Sequence, residues 1–310
     1  MTATDNLIVD HPSAAECFER IRRYADEYHR RKIGLSGLPS IAGREQGIGQ
    51  LAADFIGHLG PGEMLLIGAR AAKRGRTLFF NMLLDGFTLA GYGVALIPQE
   101  IGDSLALSLF QKFAGHDLQE MPGAEFSENR SRFVDFLESG DFQFPVVPSA
   151  SALPARCQSR LRHLPLGAAL DLVNALCESI ASAERRVLMI DPFDFLLEDT
   201  REQVRVDFLR EACRIAKGHG CAVVATGNTY KRTGARCHKA WPREDLAEEA
   251  FHSSAVPYKA CAVAVLRIEN GSEMVAAVDV FGDHRPWGSR DFRYQVDWES
   301  RNLRCMGVDQ

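Results

Sequence analysis

Arg76 and Thr77 close a basic, glycine-containing turn, Ala69-Arg70-Ala71-Ala72-Lys73-Arg74-Gly75-Arg76-Thr77, between the apolar run Met64–Gly68 and a helical pattern. A strand, a turn whose amides can face an anion, a threonine hydroxyl and a helix N-terminus make the setting of a phosphate loop. The consensus G-x-x-x-x-G-K-S/T would place glycine at 70 and lysine at 76, where this chain has Arg70 and Arg76. Arginine supplies charge and a bidentate fork, with more bulk than an ammonium. A basic surface turn is the plain alternative for this segment. Further along, Val187-Leu188-Met189-Ile190-Asp191 is an apolar run ending in a carboxylate, the pattern that holds a magnesium ion beside bound phosphates. Glu100 follows the run Val94–Pro98, where a carboxylate can deprotonate an attacking water or simply complement a helix dipole. Asn228, after Ala222–Thr226, is placed to sense a terminal phosphate or to form a turn.

The elements that must position these groups are legible as alternating patterns. Strands are expected at Met64–Gly68, Val94–Pro98, Val187–Asp191, Ala222–Thr226, Cys261–Arg267 and Met274–Phe281. Helices are expected at Thr77–Ala90, Glu100–Ala114, Ser131–Leu137, Gly167–Ser182 and Thr200–Lys217. The last opens on a capping box, Thr200-Arg201-Glu202-Gln203. Apolar strands alternating with helices predict a mainly parallel α/β sheet, whose ligands lie beyond the carboxyl ends of the strands. At the N-terminus, Ser13-Ala14-Ala15-Glu16 forms a second capping box, and the helix after it should run to about residue 31. Its apolar stripe, Phe18, Ile21, Ala25 and Tyr28, is narrow and surrounded by Arg20, Arg22, Arg23, Arg30, Arg31 and Lys32. Such a stripe suits docking, equally onto this domain or onto another surface.

Composition sets bounds on these readings. The 310 residues are 46% hydrophobic and 25% charged, which excludes a disordered or collagen-like chain. The formal charge of −5 means that nucleic acid would have to be held by a local basic patch. The 8 cysteines are scattered without C-x-x-C and read as reduced packing residues. The densest Cys/His stretch, Cys213, His219, Cys221, Cys237 and His238, lacks paired zinc-ligand spacing. No signal pattern or membrane-length apolar window is present, so a cytoplasmic location without membrane contact is expected. We divide the chain into an N-terminal docking helix (1–33) and one α/β domain (34–310).

From about Ile33 to Arg304 the sequence resembles the RecA-like motor domain of the replicative DNA helicases of the DnaB family. Ser36-Gly37-Leu38-Pro39-Ser40 is similar to that family's Thr-Gly-Ile-Pro-Thr, and His58-Leu59-Gly60-Pro61-Gly62-Glu63 to its Leu-x-Pro-Gly-Asp strand lead-in. The resemblance implies a RecA-like P-loop NTPase fold with ATP and Mg²⁺ as cofactors. It places Lys73, Gly75, Arg76 and Thr77 on the phosphates, Thr77 and Asp191 on Mg²⁺, and Glu100 on the attacking water. Asn228 falls where the family carries a glutamine sensor. Asp283-His284-Arg285 falls on its Lys-Gln-Arg, whose arginine reaches a neighbouring subunit's nucleotide. It further implies a ring homo-oligomer, a hexamer, acting on single-stranded DNA with a helicase loader or other replication protein as partner. The N-terminal helix resembles the family's linker helix. With only about 33 residues ahead of the motor, the chain resembles plasmid, phage or mobile-element relatives more than a chromosomal helicase.

Several positions depart from that pattern. Arg76 replaces the phosphate-loop lysine, the loop Ala69–Gly75 is longer by one residue, and Asp283 reverses the charge of the lysine beside the arginine finger. The family's DNA loop, Asp-Leu-Arg-Glu-Ser-Gly, is here Asp245-Leu246-Ala247-Glu248-Glu249-Ala250, which keeps Glu248 but loses the arginine and the glycine. Just upstream, Lys231, Arg232, Arg236, Lys239 and Arg243 interleave with Tyr230, His238 and Trp241. That pattern suits phosphate contact and base stacking, against the alternative of a solvated loop. The residues therefore support an ATP-driven helicase or translocase. The departures support a catalytically impaired pseudo-helicase, a nucleotide- or DNA-binding scaffold. A recombinase- or signalling-type RecA-like ATPase is disfavoured by the family-like stretch from Trp241 to Arg304.

Overall fold

Runs of valine, isoleucine and leucine without polar alternation make stable strands only where both faces are covered, and that requirement shapes this domain. The computed structural model describes residues 14–39, 48–70, 75–98, 110, 113–114, 121–139, 144–148, 163–229, 260–268, 271–281, 288–298 and 302–309. In chain order the elements are α1 (Ala14–Arg31), β1 (Ile33–Gly34), α2 (Gln50–Ile56), β2 (His58–Leu59), β3 (Met64–Arg70), α3 (Gly75–Leu89) and β4 (Gly93–Ile97). They continue with α4 (Gly123–Glu138), α5 (Leu166–Ser179), β5 (Arg186–Ile190), α6 (Phe193–Leu196), α7 (Glu202–Gly218) and β6 (Cys221–Thr229). β7 (Ala262–Ile268), β8 (Glu273–Val280), β9 (Gly288–Asp297) and β10 (Asn302–Asp309) complete the chain.

Eight strands form one sheet in the order β10-β9-β8-β7-β3-β6-β5-β4. The five from β7 to β4 are parallel, and β8, β9 and β10 add an antiparallel flank. The expected α/β class, with a mainly parallel sheet flanked by helices, is therefore present. β3 lies between β6 and β7, so the turn that follows it is central and has neighbours on both sides.

Each sheet face carries its own core. On one face Leu65, Ile67, Ala222 and Val224 pack beneath α3, most of whose residues are buried. Phe79, Phe80, Leu83 and Phe87 of that helix are buried, and the Phe79 ring meets Tyr294 edge-on at 5.9 Å. On the other face Leu66, Leu188, Val223 and Ala225 lie beneath α5 and α7. Gly75, where α3 begins, gives close packing: a Cβ there would lie 2.8 Å from Met274 Sδ, so that side chain would have to shift. The start of α3 is thereby set close against β8.

The six expected strands all form, with ends shifted by at most three residues. The helix expected at Ser131–Leu137 begins earlier, at Gly123, and the one expected at Thr200 has Arg201 as its N-cap with no side-chain capping bond. The Thr200 capping box is thus corrected: the Arg201 amide donates to Asp199 Oδ1 at 2.9 Å, so the turn before the helix is closed by Asp199. Strands β9 and β10 were not expected, although Phe292, Tyr294 and Val296 alternate with charged or polar neighbours in the period of a half-buried strand. The Ser13 capping box, Ser40 and most of the helix expected at Glu100–Ala114 lie outside the described residues. Among the described residues no helix is long and apolar enough to cross a membrane.

Helix α1 is divided along its length. Its last turns pack on this domain, where the Tyr28 ring lies against Gly60 and its hydroxyl donates to the Glu63 carboxylate at 3.3 Å. At the other end Phe18 and Ile21 are 69% and 65% exposed. Phe79→Ala should accordingly destabilise the protein by about 3–5 kcal/mol through loss of burial plus a cavity. Phe18→Ala should change stability by less than about 0.5 kcal/mol, both read from urea unfolding midpoints.

Candidate functional site at the carboxyl edge of the sheet

Strand register decides which polar groups meet. β3, β6 and β5 are adjacent, with Ala69 opposite Asn228 and Ile190 opposite Ala225. Asp191, one residue past the end of β5, therefore stands beside Thr226, and its amide donates to the Ile97 carbonyl at 2.9 Å. Side chains alternate faces along a strand. Since Ala222 and Val224 face the α3 layer, Thr226 and Asn228 continue on that same face. Arg76, in the first turn of α3, comes to them from above.

The result is a connected cluster. Arg76 is only 8% exposed; its Nη1 donates to Asn228 Oδ1 at 2.6 Å and its Nε lies 3.4 Å from Asp191 Oδ1. The Thr226 hydroxyl donates to that same Asp191 oxygen. The Asn228 amide donates to Asp194 Oδ2 at 2.5 Å, and the other Asp194 oxygen lies 3.5 Å from Nη1 of Arg205 on α7. Asp194 and Arg205 are both buried. Two carboxylates and two guanidiniums thus share one region, with Asn228 joining them: its side chain binds Arg76 and its main chain binds Asp194. Burial raises the Asp194 carboxyl above the usual carboxylate range, while the Asn228 amide, Arg205 and Arg76 pull it back down.

Of the residues singled out from the sequence, Arg76, Asp191 and Asn228 meet in this cluster. Gly75 and Thr77 lie in the first turn of α3, with Thr77 exposed. Glu100, Lys73, Arg285, Glu248 and the basic residues Lys231, Arg232, Arg236, Lys239 and Arg243 lie outside the described residues. Thr226, Asp194 and Arg205 were missed. A signal for Arg205 existed, because it sits on the apolar stripe continued by Leu209, Ala212 and Ala216, where a charge demands a buried partner.

A magnesium ion does not fit this arrangement as it stands. The Asp191 oxygen described above already accepts a hydroxyl hydrogen bond and faces a guanidinium, and a cation placed there would meet the Arg76 charge. A nucleoside phosphate is a different case. The guanidinium has five N–H donors, more than its contacts to Asn228 and Asp191 employ.

Solved structures that share this fold include the two that follow. On the first, an ATPase domain, the chain superposes with a TM-score of 0.64 at 14% identity, covering 95% of this chain and 99% of that one. The second is a DnaB-like replicative helicase, solved in a study of its interactions with primase. There the TM-score is 0.60 at 14% identity, covering 95% of this chain and 67% of that one. No protein-family profile and no curated protein sequence matches the chain. The chain thus shares the RecA-like fold of these two structures, an ATPase domain and a DnaB-like replicative helicase.

The buried pair yields a pH test with a definite sign. Arg205→Met would leave the Asp194 carboxylate buried without its partner, which should cost about 3–5 kcal/mol near neutral pH. Burial raises the carboxyl pKa, so lowering the pH to about 5 protonates it sooner in the folded variant and relieves the defect. The stability gap between wild type and variant, from urea unfolding at both pH values, should narrow on acidification. An unchanged gap would mean that Asp194 does not carry the loss.

Proposed function

We propose that the chain is an ATP-dependent motor domain of the DnaB-like type, a helicase or translocase on single-stranded DNA that works as a ring homo-oligomer. The observation that carries this reading is the convergence of Arg76, Asp191 and Asn228 at the carboxyl ends of adjacent parallel strands, beside the first turn of α3. Ligands bind at that edge in open α/β sheets. In this reading Arg76, with Lys73 and Gly75, holds the phosphates, and Asn228 senses the terminal one. Glu100 takes a proton from water as its oxygen attacks the γ-phosphorus, and ADP departs. Arg285 acts on the nucleotide of the neighbouring subunit. The exposed Phe18 and Ile21 of α1 suit a neighbour's surface, which supports the ring. The basic and aromatic residues from Tyr230 to Arg243, with Glu248, contact DNA. Replication or maintenance of a mobile element in the cytoplasm, with a loader as partner, is the setting that goes with this reading.

One observation favours the second reading, a catalytically impaired scaffold: Arg76, standing where a phosphate-loop lysine is usual, is turned into the protein onto Asp191 and Asn228. ATP hydrolysis with and without single-stranded DNA separates the two. A motor predicts DNA-stimulated turnover that Glu100→Gln lowers by about 100-fold or more. Absence of turnover with retained assembly points to the scaffold.

Two finer assignments have their own tests. Arg285→Ala mixed into wild-type rings should depress turnover more than dilution alone explains, and strictly proportional loss would refute action across the interface. Neutralising Lys231, Arg232 and Arg236 together should weaken DNA binding and flatten its dependence on salt by a slope of about 3. Equal affinity and slope would place the DNA contact elsewhere.

A further inference from the structure

We propose that the guanidinium of Arg76 takes the place of the divalent cation at Asp191, so that the site carries its positive charge on the protein and binds nucleotide without Mg²⁺. Its nucleotide part rests on the ATP-site reading above, whereas its cation part stands on the cluster alone. Three observations converge. Arg76 Nε lies 3.4 Å from Asp191 Oδ1 with both side chains largely buried, an ion pair shielded from solvent. The same Asp191 oxygen accepts the Thr226 hydroxyl, so a metal or a metal-bound water at that oxygen would compete with both the hydroxyl and the guanidinium. Arg76 is held from a third side by Asn228 Oδ1 at 2.6 Å.

Charge balance points the same way. Asp191 and Asp194 are matched by Arg76 and Arg205. A dication added to this neutral set would have to expel Arg76, and the displaced guanidinium, which does not deprotonate in proteins, would need a new buried partner. The arginine at this position also acquires a reason. The planar fork engages Asp191 and Asn228 together and keeps further donors for a phosphate oxygen, which a compact lysine ammonium does less well.

The test uses the full chain and two readouts. In ¹⁵N–¹H spectra the Arg76 Nε–H signal, identified by its loss in Arg76→Gln, should exchange slowly with solvent and shift in Asp191→Asn. It should escape selective broadening by millimolar Mn²⁺, a paramagnetic probe that reports even weak occupation of Asp191. Should Arg76→Gln fail to fold, Arg76→Lys supplies the same assignment. In the second readout a fluorescent ATP analogue is titrated in Mg²⁺ and in EDTA, with dissociation constants expected to agree within about threefold. Selective broadening of the Arg76 signal by Mn²⁺, or a loss of about tenfold or more in nucleotide affinity in EDTA, would overturn the proposal. Failure to bind nucleotide in either buffer would instead remove the ATP-site reading and the Mg²⁺-independence with it, leaving the Mn²⁺ result to decide whether Arg76 is the cation of Asp191.

Discussion

Taking two carboxylates and two guanidiniums out of water is unfavourable unless each finds a partner, and that requirement organises the carboxyl edge of this sheet. Asp191 depends on Arg76 and Thr226, Asp194 on Arg205 and the Asn228 amide, and Asn228 spans the two pairs. None of these residues is adjacent in sequence to its partner. Their meeting requires β3, β6 and β5 to lie side by side in parallel, with β6 in a register that puts Thr226 level with Asp191. A slip of one residue in β6 would turn Thr226 and Asn228 to the opposite face and leave Asp191 and Arg76 without them. The charge cluster and the strand register therefore constrain each other.

The packing beneath the cluster serves the same geometry. Most of α3 is buried, with its first turn over the strand ends, and Gly75 allows that turn to approach Met274 closely. α7 reaches the cluster from the opposite layer through Arg205, so both helical layers have a side chain at the site. The two oxygens of Asp194 meet Arg205 of α7 and the Asn228 amide of β6, which ties the two elements together. Rigid elements with paired buried charges are the kind of support that holds a functional constellation in place.

The antiparallel flank and the N-terminal helix behave differently. β8, β9 and β10 extend the sheet beyond the parallel core, and their buried residues join the core under α3 through Phe292 and Tyr294. α1 is tied to the domain at one end by Tyr28 and presents Phe18 and Ile21 to solvent at the other.

The sequence by itself determined the strands from β3 to β8, because apolar runs bounded by glycine and polar residues carry their own period, and it marked Arg76, Asp191 and Asn228 as strand-end groups. It left β9 and β10 unread, since charged neighbours obscured the alternation of Phe292, Tyr294 and Val296. It also placed the α7 cap at Thr200, where local pattern matched but Asp199 closes the turn instead. Only the tertiary structure decided the direction in which Arg76 points and the roles of Thr226, Asp194 and Arg205. Those depend on which strands become neighbours and in what register, and on how two buried charges pair across elements far apart in the chain. Local propensity contains no information about either.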